Sequence, residues 1–343
     1  MHRAINDQTS LASETFIPLL NDALSARADL FDDRHEGALR LFNGFLEGYP
    51  GLAVDLYGRT LVLLNHAARP ETLEMSLREA QEFYLSRLPW LQAVVMKIRH
   101  SEKLKERRGV VLFGEKLDTC INEHGVWYAL DLLLNQDTSL YLDTRNLRSW
   151  AFQTLAGKTV LNSFAYTGSL GVAACAGGAR RAVHIDHNTA FLNIARVSYS
   201  LNGLPVDDAD FLGTNFFTQT KHFRLTGAVF DCVFLDPPFF STTNKGIVDL
   251  VNHTKRVINK VRPLVADNGW LVVINNALFF SGADFLHILE DLCVDGYLSI
   301  ETWVPVPPDI TGYAQTPKRD LPADPKPFNY STKIAILRVR RKE

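Results

Sequence analysis

The stretch Val229-Phe230-Asp231-Cys232-Val233-Phe234-Leu235-Asp236-Pro237-Pro238-Phe239 decides how the rest of this chain is read. Its apolar run has the character of a strand buried on both faces of a parallel sheet. Such a strand delivers the next side chain to the carboxyl edge of the sheet, where open α/β folds keep their ligand crevice. Asp236 there can accept a hydrogen bond. Pro237 and Pro238 stiffen the turn and leave carbonyls with no competing N–H of their own. Phe239 offers a flat apolar face. Together these four residues suit a planar ring that carries an amino group or ring nitrogen.

Working outward, the second half of the chain alternates strand and helix patterns. Strand candidates lie at 159–163, 181–186, 230–235, 270–275, 298–305 and 332–340, with a further one expected to end near Phe211. This alternation predicts a doubly wound, mostly parallel sheet of seven strands. The last two candidates are joined by a proline-rich loop, 306–330, rather than a helix, which predicts an antiparallel edge. That loop, with Phe328-Asn329-Tyr330, is also a candidate lid. The first half reads differently. Residues 1–37 form a helical lead, and 38–135 read as a small α+β domain. Within it are a hairpin over Leu41–Leu64, an amphipathic helix over Glu71–Leu88 and strands at Ala93–Ile98, Val110–Leu112 and Trp127–Leu130. The catalytic domain is then 136–343. The fold expected is a Rossmann-like α/β domain preceded by a smaller one.

Strand 159–163 runs into Phe164-Ala165-Tyr166-Thr167-Gly168-Ser169, where a helix pattern begins. Gly168 would let a ligand approach the backbone at a helix N-terminus. The turn is not GxGxxG, so a pyrophosphate cofactor is disfavoured. The next strand ends at Asp186, 18 positions after Gly168, where a carboxylate can accept both hydroxyls of a ribose. A helix N-cap is the alternative reading of Asp186. Asn215, after the third strand, is placed to accept from an adenine amino group through its side-chain oxygen. A glycine turn, a ribose acid and an adenine acceptor on successive strands describe a site for S-adenosylmethionine. With Asp236 to Phe239, they describe methylation of a nucleobase nitrogen.

These segments, VLNSFAYTGSLGVAA, VHIDHN, FLDPPFFS and QDTSLYLDTRNLR, resemble the bacterial large-subunit rRNA methyltransferases. That group comprises the RlmI cytosine-C5 type and the RlmK-type C-terminal half of the fused guanine enzyme RlmKL. The resemblance covers roughly residues 38–343. It implies a class I methyltransferase domain, S-adenosylmethionine as cofactor and an RNA substrate, 23S rRNA. It also implies cofactor positions at Phe164, Tyr166, Gly168 and Asp186, and at Thr138 and Arg145 in the upstream motif. Asp137 stands where those proteins usually carry Lys, and Asn215 where they carry an acid. The short helical lead is expected to stand in place of the N-terminal PUA-type RNA domain of the cytosine enzyme.

The target atom follows from what is missing. Carbon-5 methylation of cytosine needs a nucleophile that adds to the ring, typically a Cys thiolate. The strand Leu271-Val272-Val273-Ile274 runs into Asn275-Asn276 with no Cys nearby. Cys175 and Cys232 read as buried small residues, and the four cysteines lack metal-ligand spacing, which argues against a zinc site. A base nitrogen is therefore favoured over cytosine C5, and the resemblance of Asn275-Asn276 to the guanine half of the fused enzyme implies guanine; the pair can equally be a capped turn. A protein glutamine methyltransferase and a non-catalytic RNA-binding relic are the other functional readings. Net charge is −2, so RNA binding needs a local basic surface. The densest run is Lys97, Arg99, His100, Lys103, Lys105, Arg107 and Arg108, which reads either as a phosphate track or as a solvated loop. Phe239 and Phe240 are candidates to stack a base, with Phe240 the one expected in the core. With 46% hydrophobic residues and no apolar signal core or membrane span, a cytoplasmic protein is expected.

Overall fold

The computed structural model describes residues 16–243 and 246–341. They form two compact units. The first runs to Gly125 and adds Leu130–Leu142 and Pro307–Asp320; the second comprises Val126–Ala129, Asp143–Val306 and the chain from Leu321 onward.

The first unit opens with helix α1, over 16–26, whose Phe16, Leu20 and Ala23 are fully buried. The described part of the helical lead is thus packed into this unit. Strands β1 (Ala38–Asn43), β2 (Leu52–Tyr57) and β3 (Thr60–Asn65) form an antiparallel meander, and helix α2 (Glu74–Arg87) crosses to β4 (Ala93–Ile98). That crossover makes β3–β4 the parallel pair of the sheet, as a helical connection requires. After the short helix α3 (Leu104–Arg108), β5 (Val110–Phe113) closes the order β1-β2-β3-β4-β5, and β6 (Cys120–Glu123) follows. Helices α1 and α2 bury Leu20, Leu77 and Tyr84 with Leu41, Leu61 and Leu63 in one core.

The loop expected as a lid behaves otherwise over its first part. Helix α10 (Pro308–Thr311) belongs to the first unit. The fully buried Asp309 accepts from Arg40 N through its carboxylate and from Arg27 through its carbonyl, 2.9 and 2.8 Å. Arg27 in turn pairs with buried Glu47 at 2.9 Å. A segment anchored by a buried charge network is not free to open and close.

In the second unit, β7 (Val126–Ala129) and α4 (Arg145–Thr154) lead into β8 (Thr159–Ser163), α5 (Ser169–Ala176), β9 (Arg181–Asp186), α6 (Thr189–Leu201), β10 (Phe211–Gly213), α7 (Phe216–Thr226) and β11 (Phe230–Leu235). A hairpin, β12 (Phe240–Thr243) and β13 (Gly246–Asp249), precedes α8 (Thr254–Val261), β14 (Val265–Asn275), α9 (Gly282–Cys293), β15 (Leu298–Trp303) and β16 (Lys333–Val339). The sheet order is β10-β9-β8-β11-β14-β16-β15, parallel from β10 to β14 and antiparallel at β16 and β15. The chain departs in opposite directions from the β8–β11 junction, and that reversal is where open sheets leave a ligand crevice. Register aligns the strand ends: Leu235 lies opposite both Ser163 and Val273, and Asp186 opposite Gly213.

Of the strand limits that differ from the sequence reading, two have a visible cause. β14 begins at Val265, because Asn268 (φ 56°) and Gly269 absorb a register shift that looks like a turn in sequence. β10 begins rather than ends at Phe211, since Asp208–Asp210 form a helical turn capped by Asp207.

Candidate active site

Strand β8 hands the chain to a strained loop. Phe164 and Tyr166 have φ of 57° and 51°, and Gly168 has 78°. Two non-glycine residues in the left-handed region cost energy and persist only where the surroundings enforce them. Here the enforcement is visible. Phe164 packs its ring 4.3 Å from Phe216, and Tyr166 packs 4.5 Å from Phe191. Ala165 N donates to the Ile185 carbonyl at 2.8 Å, and Tyr166 N donates to Asp186 Oδ2 at 2.9 Å. Gly168 has a reason other than ligand approach. A Cβ there would lie 2.6 Å from Ala195 and 3.2 Å from His184, so the missing side chain makes room for α6 and β9.

Asp186 is held at both oxygens. Oδ1 accepts from Asn188 N at 2.9 Å, and Oδ2 from Tyr166 N. The cap of α6 is Asn188, whose side chain accepts from Ala190 N, so the N-cap reading of Asp186 gives way. Burial raises the carboxyl pKa, opposed by the two backbone donors and by His187. Each oxygen keeps a lone pair after its backbone bond, so the oriented carboxylate has capacity for two hydroxyl donors.

Asn215 is a correction. Its side-chain oxygen accepts from Phe217 N at 2.9 Å and Thr218 N at 3.4 Å, capping α7. An oxygen committed to a helix cap is not the open acceptor that an adenine amino group needs. Thr138 sits in the first unit, buried, with its hydroxyl 2.6 Å from the Tyr57 hydroxyl. Arg145 opens α4 in the second unit. The expected lid residues are structural as well. Phe328 is buried against Phe285 and Trp303, and Asn329 exchanges hydrogen bonds with Val306.

Asp236, Pro237, Pro238 and Phe239 leave β11 at the sheet's carboxyl edge. Pro237 is buried, and Pro238 and Phe239 are exposed. Phe240, expected in the core, is 60% exposed, because it begins a hairpin that pairs with nothing but itself. Among the described residues no donor hydrogen-bonds to the Asp236 carboxyl. Asp236 keeps some solvent access, yet the protein packed around it drives its pKa up to about 7, and the negative charge of Asp143 adds to the rise. Asp143 is a residue that sequence reasoning missed. Its Oδ2 accepts from Thr332 at 2.7 Å. Its position in the quoted LDTR segment was the available signal.

No cysteine is equipped as a nucleophile. Cys232 is fully buried, and burial pushes its thiol well above the ordinary value. Cys120, Cys175 and Cys293 are half-buried, so Cys175 is less enclosed than its sequence suggested, and burial raises all three. Asn275 is a turn cap. Its oxygen accepts from Ala277 N at 3.0 Å, and its amide donates to the Leu250 carbonyl. Among the described residues, no cluster of acidic, His or Cys side chains could hold a metal, and no helix is long and apolar enough to cross a membrane.

The model of the S-adenosylmethionine-dependent methyltransferases matches residues 39–300. The chain belongs to this family. Two curated relatives carry the name ribosomal RNA large subunit methyltransferase I. The protein from Photobacterium profundum is 30% identical over 82% of this chain and 70% of its own length. The protein from Aeromonas salmonicida is 29% identical over 82% and 71%. Among solved structures, SMU.776 in complex with SAH superposes with a TM-score of 0.82 at 22% identity, covering 94% of this chain and 81% of that one, a likeness of fold. The enzyme therefore uses S-adenosylmethionine and is a Rossmann-like methyltransferase. The residues present fit that cofactor: Asp186 is oriented with free acceptor capacity, and the Phe164–Gly168 loop lies beside it at the switch point.

Proposed function

We propose that this methyltransferase modifies large-subunit ribosomal RNA, 23S rRNA, in the cytoplasm, and that the acceptor is a base nitrogen, with guanine favoured. The observation that carries this reading is Asp236 at the end of β11, whose carboxyl meets no hydrogen-bond donor among the described residues, followed by a rigid Pro-Pro turn and exposed Phe239. The bound cofactor supplies an electrophilic methyl group. Asp236 accepts a hydrogen bond from the edge of the base and fixes its angle, while Phe239 covers one face of the ring. A ring nitrogen attacks with its own lone pair and needs no protein nucleophile. Cytosine C5 does need one, and the buried or half-buried thiols with raised pKa values argue against it. Names of the relatives support the RNA class. Asp186 would hold the ribose, with Phe164, Tyr166 and Gly168 shaping the loop beside it. Thr138 and Arg145 remain proposed cofactor positions on the family likeness alone.

The test is transfer of labelled methyl into rRNA from a strain lacking the gene, followed by mass mapping of its nucleosides. Label in a methylated guanosine is expected. Label in 5-methylcytidine would overturn the choice of atom, and label confined to protein would overturn the RNA reading.

A further inference from the structure

Phe279 is 78% exposed, more than any other aromatic side chain among the exposed large hydrophobics. It lies on the loop between β14 and α9, and this loop is unusually well fixed. At its start, Asn275 is fully buried and bonds both Ala277 N and the Leu250 carbonyl. Next, the buried ammonium of Lys333 donates to the Ala277 carbonyl at 3.1 Å and to the Ser331 carbonyl. Phe280 turns inward against the main core of this unit. At its end, Ser281 caps α9 through Asp284 N at 3.0 Å. Gly282 is pressed so closely that a Cβ would meet the Pro325 carbonyl at 1.8 Å. The backbone of the loop is thus fixed at Asn275, Ala277, Phe280 and Ser281, while Asn276, Leu278 and Phe279 are exposed. A rigid loop that presents an apolar ring to water has paid beforehand the ordering cost of binding.

The location narrows the occupant. β14 pairs with β11 in parallel, with Leu235 opposite Val273. Residues 236–239 and 276–279 therefore leave neighbouring strands at one edge, strands about 4.8 Å apart. The two segments are also tied, because Leu250 N donates to the Phe239 carbonyl at 3.1 Å and Leu250 O accepts from Asn275. We propose that Phe279 is a substrate-binding residue that stacks on an unpaired nucleobase of the RNA, with Asn275 and Lys333 as the positioning residues of its loop. The inference rests on the RNA reading above. It adds a second aromatic face beside Phe239, supplied by a different strand.

The experiment is single-turnover methylation of rRNA from the gene-deletion strain by Phe279→Ala and Phe279→Trp proteins, with S-adenosylmethionine titrated separately. Stacking on one base is lost in Phe279→Ala, so the half-saturating RNA concentration should rise about five- to a hundred-fold. Phe279→Trp should restore it. Cofactor affinity and melting temperature should not move, because the ring supports nothing in the fold. An unchanged RNA dependence for Phe279→Ala, in a preparation where wild type methylates rRNA, overturns the role of Phe279 alone. Wild type that labels protein and not RNA overturns the RNA reading and this inference together.

Discussion

The Asp236 carboxyl titrates against its surroundings. Its pKa rises from an ordinary 3.8 to about 7 on folding. Between those values the folded protein holds a proton that the unfolded chain has lost, so stability falls as pH climbs from about 4 to about 7. Above that range the native state carries a penalty of about 1–3 kcal/mol, given that the side chain keeps some solvent access. Asp236→Asn should therefore melt a few degrees higher than wild type at pH 8, with a smaller gap at pH 5, while its single-turnover rate falls. A variant that is more stable and slower is what a residue kept for function predicts. Melting curves at both pH values, beside the rates, decide it; a lower melting temperature at pH 8 would make Asp236 a structural cap. Asp186→Ala should weaken S-adenosylmethionine binding by about 1.5–3 kcal/mol. The structure adds a cost that the sequence hid, because Tyr166 N and Asn188 N lose their acceptor, so about 1–3 kcal/mol of stability should go as well. Calorimetric titration and denaturant melts separate the two. Asp186 and Asp236 stand out as candidates in the sequence because each sits where an apolar run stops. Asp143 was not, because its influence on Asp236 comes through the fold and not through adjacency.

At the scale of elements, the turn at Phe164–Gly168 was legible in place, and the structure adds a packing reason for its glycine. Position and residue type marked the turn, but Gly168 is glycine because α6 passes over it. Gly168→Ala adds a Cβ 2.6 Å from Ala195 at a φ of 78°. Left-handed strain and overpacking together should cost about 2–4 kcal/mol. Denaturant midpoints at unchanged slope would show it, and a change under about 0.5 kcal/mol would return Gly168 to the ligand-approach explanation. The parallel strands were legible because burial on both faces leaves continuous apolar runs, as in Cys232–Leu235. Asn215 misled because an Asn after a strand serves equally to cap the next helix. Nothing in local sequence says which way its oxygen points. The lid reading failed for a related reason. A proline-rich stretch reports only that it is irregular, and the anchoring of Asp309 comes from Arg27 and Arg40, hundreds of residues away in sequence.

For the whole molecule, a net charge of −2 leaves little long-range attraction for RNA, so any phosphate contacts must be local. The basic run of the first unit is weaker than its sequence suggests. Lys97 is buried, donates to the carbonyls of Arg108, Asn135 and Asp137, and has its pKa lowered by burial to about 8. Arg99 pairs with Asp137 at 2.9 Å, and Lys103 with Glu106 at 2.8 Å. Arg99, His100, Lys103, Lys105 and Arg108 are exposed, and of these His100, Lys105 and Arg108 have no ion pair among the described residues. Counting cations along a chain overstates a surface whenever some of them are spent on holding the loop. Each phosphate neutralised adds roughly 0.7–0.9 to the slope of log affinity against log salt. If most of the run is committed to pairing or buried, replacing Lys105 and Arg108 with Ala together should lower that slope for rRNA by no more than about 1. Affinity near physiological salt should fall by only a few fold, with methylation at saturating RNA unchanged. Filter binding from low to high salt measures it. A slope lower by about 2 would mean that both side chains sit on phosphates, and that this short helix is an RNA contact in its own right.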